Sequence, residues 1–598
     1  MAKLGAFVVL TPAAGIMLGA FMSFTGNEVL ADQDILYFLL SPWGVVALVL
    51  VGGLALAIVA LELACLMTIG LGVVRSQRVT VLAALRFVAG RVAGIWRLTA
   101  RALLQVLLRV LPFAAVAAGV YAAVLGDYDI NFYLSQRPGS FWLAVVAIGS
   151  LALGAGVVVV PRLLGWFYAL PILLFENASP SQALEESRER VDTHRPSVIR
   201  ALTAWLVGSL VLAALLSASM GFVGRLVLFG VERSVPLLVL VSGGVFLLFS
   251  VGNLIVSFVQ SASLALLCAR YYEELANEGG TMLPATATDS GDSSVRSSAG
   301  WKLVLAGLAV GVLACGTAGI VLLEGVRAAD DVLVAAHRGA SGRAPENTLA
   351  AIRAAVEDGA DVVEIDVQET ADGEVVVIHD SDFMRIGSVD LKVWDARYQE
   401  ARAIDIGSWF APEFSSERLP TLAEVLAICK GKALVDIELK YYGHDERLEE
   451  KVVAIVEQAD MASDVLVMSL ELAGIEKIRA MRPGWTVGLL TATALGDLTR
   501  IDVDFLAVHS SLATPGFIGR AHDAGKKVFV WTVNDAPHMS HVVTSGVDSI
   551  ITDEPALAKR LLAARAELSA VERLLLELTF WLGVTPKEPP PETDLGGV

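Results

Sequence analysis

The 598-residue chain is short of charge, of basic residues and of cysteine, and each shortage excludes something. Only 18% of residues are charged against 55% apolar, and the mean hydropathy is +0.64. A wholly soluble protein of this length does not carry that balance, so part of the chain must sit in lipid. Lys and Arg number 45 against 63 Asp and Glu, a formal charge of −18. That leaves no basic face to neutralise nucleic-acid phosphates, and nucleic acid is set aside as a partner. Of four cysteines, Cys65, Cys268 and Cys315 fall in apolar segments and Cys429 in a predicted barrel helix, without CxxC or metal-ligand spacing. No disulfide framework is expected.

What is abundant is apolar sequence, and nearly all the excess precedes residue 325. Seven segments approach the length of a bilayer crossing: 4–24, 43–73, 103–126, 142–175, 199–222, 237–267 and 303–323. The fourth is overlong and broken at Pro161-Arg162, so it reads either as one kinked helix or as two passes. Basic residues near spans stay in the cytoplasm. The second loop carries Arg75, Arg78, Arg86, Arg91, Arg97 and Arg101 with no acidic residue, whereas the first has no basic residue. Arg188, Arg190, Arg195 and Arg200 mark the fourth loop, and Arg270, Arg296 and Lys302 the sixth. Seven spans then put the N-terminus inside and the chain after residue 323 outside. The expected organisation is a multi-span membrane domain at 1–275, a flexible Gly/Ser/Thr-rich linker at 276–302 and a last transmembrane helix at 303–323. A catalytic domain follows at 330–558, then an amphipathic helix and disordered tail at 559–598.

Beyond the last span, short β-branched runs alternate with helical stretches. Strands are predicted at 332–336, 361–367, 433–439, 465–469, 485–490, 504–508, 527–533 and 548–551, with an extra one at 374–378. Eight βα units in this length predict a (β/α)8 barrel, whose chemistry belongs at the C-terminal ends of the strands. Those ends are charged. The first runs into His337-Arg338-Gly339, the second contains Glu364-Ile365-Asp366, the short extra strand leads to His379-Asp380, and the third ends in Glu438-Leu439-Lys440. Alternation puts Glu364 and Asp366 on one face, and likewise Glu438 and Lys440.

Such a set suits phosphodiester cleavage. Three carboxylates form a hard oxygen site for one divalent cation, Mg2+ or Ca2+, which would polarise a phosphoryl oxygen. Arg338 and Lys440 can neutralise the remaining phosphate oxygens. Of the two histidines, one can take a proton from the nucleophile while the other protonates the leaving alkoxide.

The run His337-Arg338-Gly339, Pro345-Glu346-Asn347-Thr348, Gly359-Ala360-Asp361, Glu364-Ile365-Asp366-Val367, Asp372-Gly373, His379-Asp380 and Glu438-Leu439-Lys440 resembles the glycerophosphodiester phosphodiesterase family. Trp531-Thr532-Val533-Asn534, Gly546-Val547-Asp548 and Thr552-Asp553 match its closing motifs, and the segment 381–420 matches its insertion. The preceding spans resemble the membrane domain fused to bacterial members. The resemblance implies a glycerophosphodiester hydrolase yielding sn-glycerol 3-phosphate and an alcohol. It places metal ligands at Glu364, Asp366 and Glu438, catalytic histidines at His337 and His379, phosphate contacts at Arg338 and Lys440, and a head-group contact at Trp531. Departures lie at the edges: Asp436 stands where asparagine is common, Leu470 where an aromatic is common, and Ser549 where glycine is. Lysophospholipase D-type cleavage, cleavage of polyglycerolphosphate polymers, and a diester-binding transporter or sensor remain the alternatives. The oligomeric state is not legible.

Overall fold

In lipid a backbone has no hydrogen-bond partner but itself, so long apolar runs close as helices. The computed structural model describes residues 2–24, 29–231, 235–275, 331–568 and 572–573. Among the described residues, five stretches are long and apolar enough to cross a membrane: Pro42–Val74, Val92–Leu125, Gly139–Phe175, Pro180–Val223 and Leu248–Glu274. They match the second to sixth predicted segments. The first is the helix Ala2–Ser23, of which Pro12–Ser23 is a shorter apolar stretch. The predicted linker, the seventh segment and nearly all of the C-terminal tail lie outside the described residues.

The ambiguous fourth segment holds one helix long enough to cross. Gly139–Gly165 is a single 27-residue helix that contains Pro161. At 1.5 Å per residue it is about 40 Å long, enough for one crossing, whereas the seven-residue helix Ala169–Phe175 that follows is far too short for another. The next helix, Pro180–Val231, breaks at His194, two residues before Pro196. A proline inside a helix removes one N–H and crowds the preceding turn, so the charged stretch before it parts from the apolar span after it.

The chain divides into two units. In the first, membrane helices approach closely through small residues. Thr99 Oγ1 donates to Gly53 O at 2.6 Å, and Trp96 Nε1 to Leu50 O at 3.0 Å. Charged groups at the ends of these helices pair. Arg75 meets Glu273 at 2.7 Å, and Arg190 meets Glu176 at 2.7 Å, with the Tyr272 hydroxyl 2.8 Å from the same carboxylate.

The second unit unites the C-terminal half with two short segments, Val29–Ile35 and Leu125–Phe141. Its strands are β1 Leu30–Ala31, β2 Leu333–Ala336, β3 Val362–Glu369, β4 Val375–Val377, β5 Leu434–Leu439, β6 Val465–Ser469, β7 Thr486–Thr491, β8 Ala494–Leu495, β9 Phe505–His509, β10 Lys527–Trp531 and β11 Ser549–Thr552. Eight run parallel in the order β2-β3-β5-β6-β7-β9-β10-β11, and β11 pairs back to β2 to close the (β/α)8 barrel. The short β4 runs antiparallel to β3. An antiparallel ribbon joins β1 to β8.

Strand alternation sorts the side chains. Val363, Ile365 and Val367 of β3, with Val435 and Ile437 of β5, are fully buried in the core that includes the surrounding helices. The other face fills the barrel: Val362, Leu466, Phe505 and Phe529 form an apolar floor, with the two rings stacked at 4.5 Å. Gly488 makes room for them, since a Cβ there would stand 2.3 Å from the Phe505 ring. Above this floor the same face of β3 and β5 turns acidic. Glu364 is level with Asp436, and Asp366 with Glu438. The insertion after β4 wraps a small core of its own around Phe383, Ile386, Val393 and Leu419.

Candidate active site

The first loop owes its shape to two left-handed residues, Arg338 at φ 56° and Gly339 at φ 80°. A Cβ at position 339 would lie 2.6 Å from the backbone carbon of Ala351, so only glycine fits between strand and helix. The turn aims the Arg338 N–H at Glu364 Oε2, 2.7 Å away. Asn347, also left-handed at φ 56°, donates from Nδ2 to Asp366 Oδ2 at 2.8 Å. The signature Pro345-Glu346-Asn347-Thr348 thus acts on the acidic centre through Asn347 and on Arg338 through Glu346, whose carboxylate pairs with Arg338 Nη1 at 2.8 Å.

Glu364, Asp366 and Glu438 each bring one carboxylate oxygen into a group whose members lie within 4.8 Å of one another. The three residues are 1%, 1% and 5% exposed. Lys440 Nζ stands 2.6 Å from Glu438 Oε1 and 3.1 Å from Asp366 Oδ1, and Arg338 Nε stands 3.3 Å from Asp366 Oδ2. Both cations predicted for phosphate are therefore engaged with the carboxylates. Burial and the neighbouring Asp366 and Glu438 push Glu364 well above the usual carboxylate range. Burial raises Glu438 to about 7 despite Lys440. For Asp366 burial is outweighed by Lys440, His379 and Arg338, and it is held well below its ordinary value. With all three carboxylates ionised, the centre would hold three negative charges against the two positive charges of Lys440 and Arg338, and the raised Glu364 and Glu438 reflect that crowding.

The histidines flank this centre with the same hydrogen-bonding device. His337 Nδ1 lies 2.6 Å from Asp553 Oδ1, and His379 Nδ1 lies 2.9 Å from Asp380 Oδ1. An aspartate accepting from Nδ1 fixes the ring and places the lone pair of a neutral imidazole on Nε2. Asp553 is steadied by Ser341 at 2.8 Å and by Asn534. Asp380 is steadied by Arg385 Nε at 2.6 Å, and Arg385 also pairs with Glu346. Gln368 Nε2 gathers the carbonyls of Ile378, His379 and Asp380 at 3.0, 3.1 and 2.8 Å, fixing the loop that carries the second histidine. Burial, with Arg338 and Lys440 nearby, lowers the His379 pKa against the pull of Asp366 and Asp380.

Trp531 sits at the end of β10 against the apolar floor, and its Nε1 donates to Ala507 O at 3.2 Å. Asp436 is fully buried beneath Glu438, and neither of its oxygens has a hydrogen-bond partner among the described residues. Asp380 and Asp553 stand within the sequence motifs with no role attached to either, and Arg385 lies unmarked in the insertion. The adjacent His-Asp pair was a readable signal for Asp380, whereas Asp553 reaches His337 only through closure of the barrel.

Comparison with known proteins decides the family. Residues 337–557 match the model of the glycerophosphoryl diester phosphodiesterase family, and residues 1–306, just over half the chain, match the membrane domain of glycerophosphoryl diester phosphodiesterase. The chain belongs to this family. A glycerophosphodiester phosphodiesterase of Caldanaerobacter subterraneus is 35% identical over 233 residues, covering 37% of this chain and 94% of the relative. One from Bacillus subtilis is 28% identical over 250 residues, covering 38% and 85%. Among solved structures, an Oleispira antarctica phosphodiesterase in complex with the product sn-glycerol-3-phosphate is 28% identical, with a TM-score of 0.36 over 39% of this chain and 96% of that one. The protein is thus a membrane-associated glycerophosphodiester phosphodiesterase, and its acidic centre is a group of residues able to hold a metal ion.

Proposed function

We propose that the barrel mouth hydrolyses glycerophosphodiesters to sn-glycerol 3-phosphate and an alcohol, with Mg2+ or Ca2+ held by Glu364, Asp366 and Glu438. The observation that carries this reading is the convergence of three buried carboxylate oxygens within 4.8 Å of one another. The donor set is all oxygen and would be anionic once ionised, which is what a hard divalent cation requires, and such a cation would offset the crowding that raises Glu364 and Glu438. Once bound, the cation would polarise a phosphoryl oxygen and offset the charge developing on it. Lys440 and Arg338, beside the same carboxylates, would bind the other phosphate oxygens. His337 and His379, each oriented through Nδ1, move the protons: one takes it from the nucleophile and the other gives one to the leaving alkoxide.

We infer also that this site faces away from the cytoplasm. Support comes from the Arg-rich second and fourth loops: Arg75 pairs with Glu273 and Arg190 with Glu176, which also accepts from the Tyr272 hydroxyl, so both gather at the C-terminal end of the helix Val235–Leu275. The first and third loops, poor in basic residues, fold instead with the barrel.

The metal is the point to test. Chelation of the purified full-length protein is expected to abolish diester hydrolysis, and Mg2+ or Ca2+ to restore it. Glu438→Gln keeps the side-chain shape but removes one ligand charge, so its activity should need a higher metal concentration. Full activity after chelation, or a Glu438→Gln titration that overlays wild type, would overturn the reading.

A further inference from the structure

We propose that Asn131, in the segment Leu125–Phe141 between two membrane spans, is a positioning residue for His379. The inference rests on the proton-transfer role given to His379 above and extends the site to a segment that belongs by sequence to the membrane half. Asp129 caps the short helix Ile130–Gln136, and its Oδ1 accepts both the Asn131 backbone N–H at 2.9 Å and Asn131 Nδ2 at 3.0 Å. The amide is thereby fixed, and its Nδ2 also donates to Asp380 Oδ1 at 3.1 Å. That oxygen is the one bonded to His379 Nδ1, which lies 3.5 Å from Asn131 Nδ2. A carboxylate only accepts, so two carboxylates around one amide nitrogen settle which end of the amide faces them.

Asp380 is fully buried, and its other oxygen is held by Arg385 at 2.6 Å. Asn131 therefore locks the oxygen that orients the imidazole, while Arg385 locks its twin. The same segment also holds the main chain around the histidine. Asp129 Oδ2 accepts from the Ser381 N–H at 3.2 Å and from the Tyr442 hydroxyl at 3.3 Å, and that hydroxyl lies 2.9 Å from His379 O. The Asp129 N–H donates to Asp382 Oδ2 at 2.8 Å, an oxygen that Lys392 approaches at 2.9 Å. Asp129 and Asp382 are both buried. Ring and backbone of His379 are thus both seated against residues 129–131, some 250 positions away in sequence.

The test uses full-length protein in lipid nanodiscs with its metal. In Asn131→Ala, kcat is expected to fall about tenfold with KM within about twofold, as for loss of a group that orients a proton donor or acceptor. In a His379→Ala background the same substitution should cost nothing further, because residues acting as one unit are not additive. Asn131→Leu, close in shape and unable to donate, repeats the measurement should alanine disturb folding. Wild-type kcat in a folded Asn131 variant, or an equal loss added on top of His379→Ala, overturns the inference alone. A His379→Ala enzyme with normal turnover removes the proton-transfer reading and this inference with it.

Discussion

Single residues set the chemistry through what stands behind them. His337 and His379 each have an aspartate on Nδ1, at 2.6 and 2.9 Å, and neither is among the three carboxylates grouped for a metal. Their replacement should separate proton transfer from metal binding. His337→Ala and His379→Ala are each expected to lower kcat by at least ~10²-fold with an unshifted metal titration. Near-normal turnover in either would remove that histidine from the mechanism. Asp436 offers a different test, because burial and the neighbouring Glu438 push it up to about 8. A carboxyl raised on folding takes up a proton, so its contribution is complete below the unfolded value of about 4. Stability then falls by about 1.4 kcal/mol per pH unit until the folded value is reached. Asp436→Asn removes this slope. In metal-stripped protein the thermal midpoint of the variant should exceed that of wild type by more at pH 7.5 than at pH 5. Parallel pH dependences would show that Asp436 keeps its charge.

At the scale of elements, the sequence was most legible where chemistry and periodicity coincide. The eight barrel strands lie within two residues of their predicted ranges, because buried β-branched runs end abruptly in charge or turn residues. Glu364, Asp366, Glu438 and Lys440 converge because period-2 alternation and the in-register pairing of β3 with β5 leave no other arrangement. What escaped reading depends on closure. The ribbon of β1 with β8 is two residues wide and has no pattern to announce it. Asp32, whose carboxylate accepts from the Thr493 N–H at 2.8 Å, looks in sequence like any loop aspartate. The barrel floor was equally hidden, since nothing in β7 says that Gly488 faces the Phe505 ring. Gly488→Ala forces a Cβ to within 2.3 Å of that ring and is expected to destabilise the barrel by about 1–3 kcal/mol. Phe505→Leu in the same chain should recover part of this. An unchanged thermal midpoint for Gly488→Ala would mean that the floor repacks without strain.

On the scale of the whole molecule, chain order links the sidedness proposed for the barrel to that of the Arg-rich loops. The segments Val29–Ile35 and Leu125–Phe141 fold with the barrel, and each is separated from the Arg-rich stretch around Arg78 by one apolar span, Pro42–Val74 or Val92–Leu125. If each of these stretches crosses the membrane, the Arg78 loop and the barrel face different compartments whatever the count of later passes. The excess of Arg is then the ground for expecting the barrel outside, because basic loops are retained in the cytoplasm. The described cysteines Cys65, Cys268 and Cys429 are buried, so in a Cys315→Ser background introduced thiols can report the sides. Asp127 and Arg78 are both exposed. In cells with a permeable outer envelope, Asp127→Cys should react with a membrane-impermeant maleimide, and Arg78→Cys only after lysis. The reverse pattern would place the phosphodiesterase site in the cytoplasm, where its diesters would have to come from the inner leaflet or the cytosol. Labelling of both thiols in intact cells would mean that the span between them does not cross, and the membrane domain would need a different path.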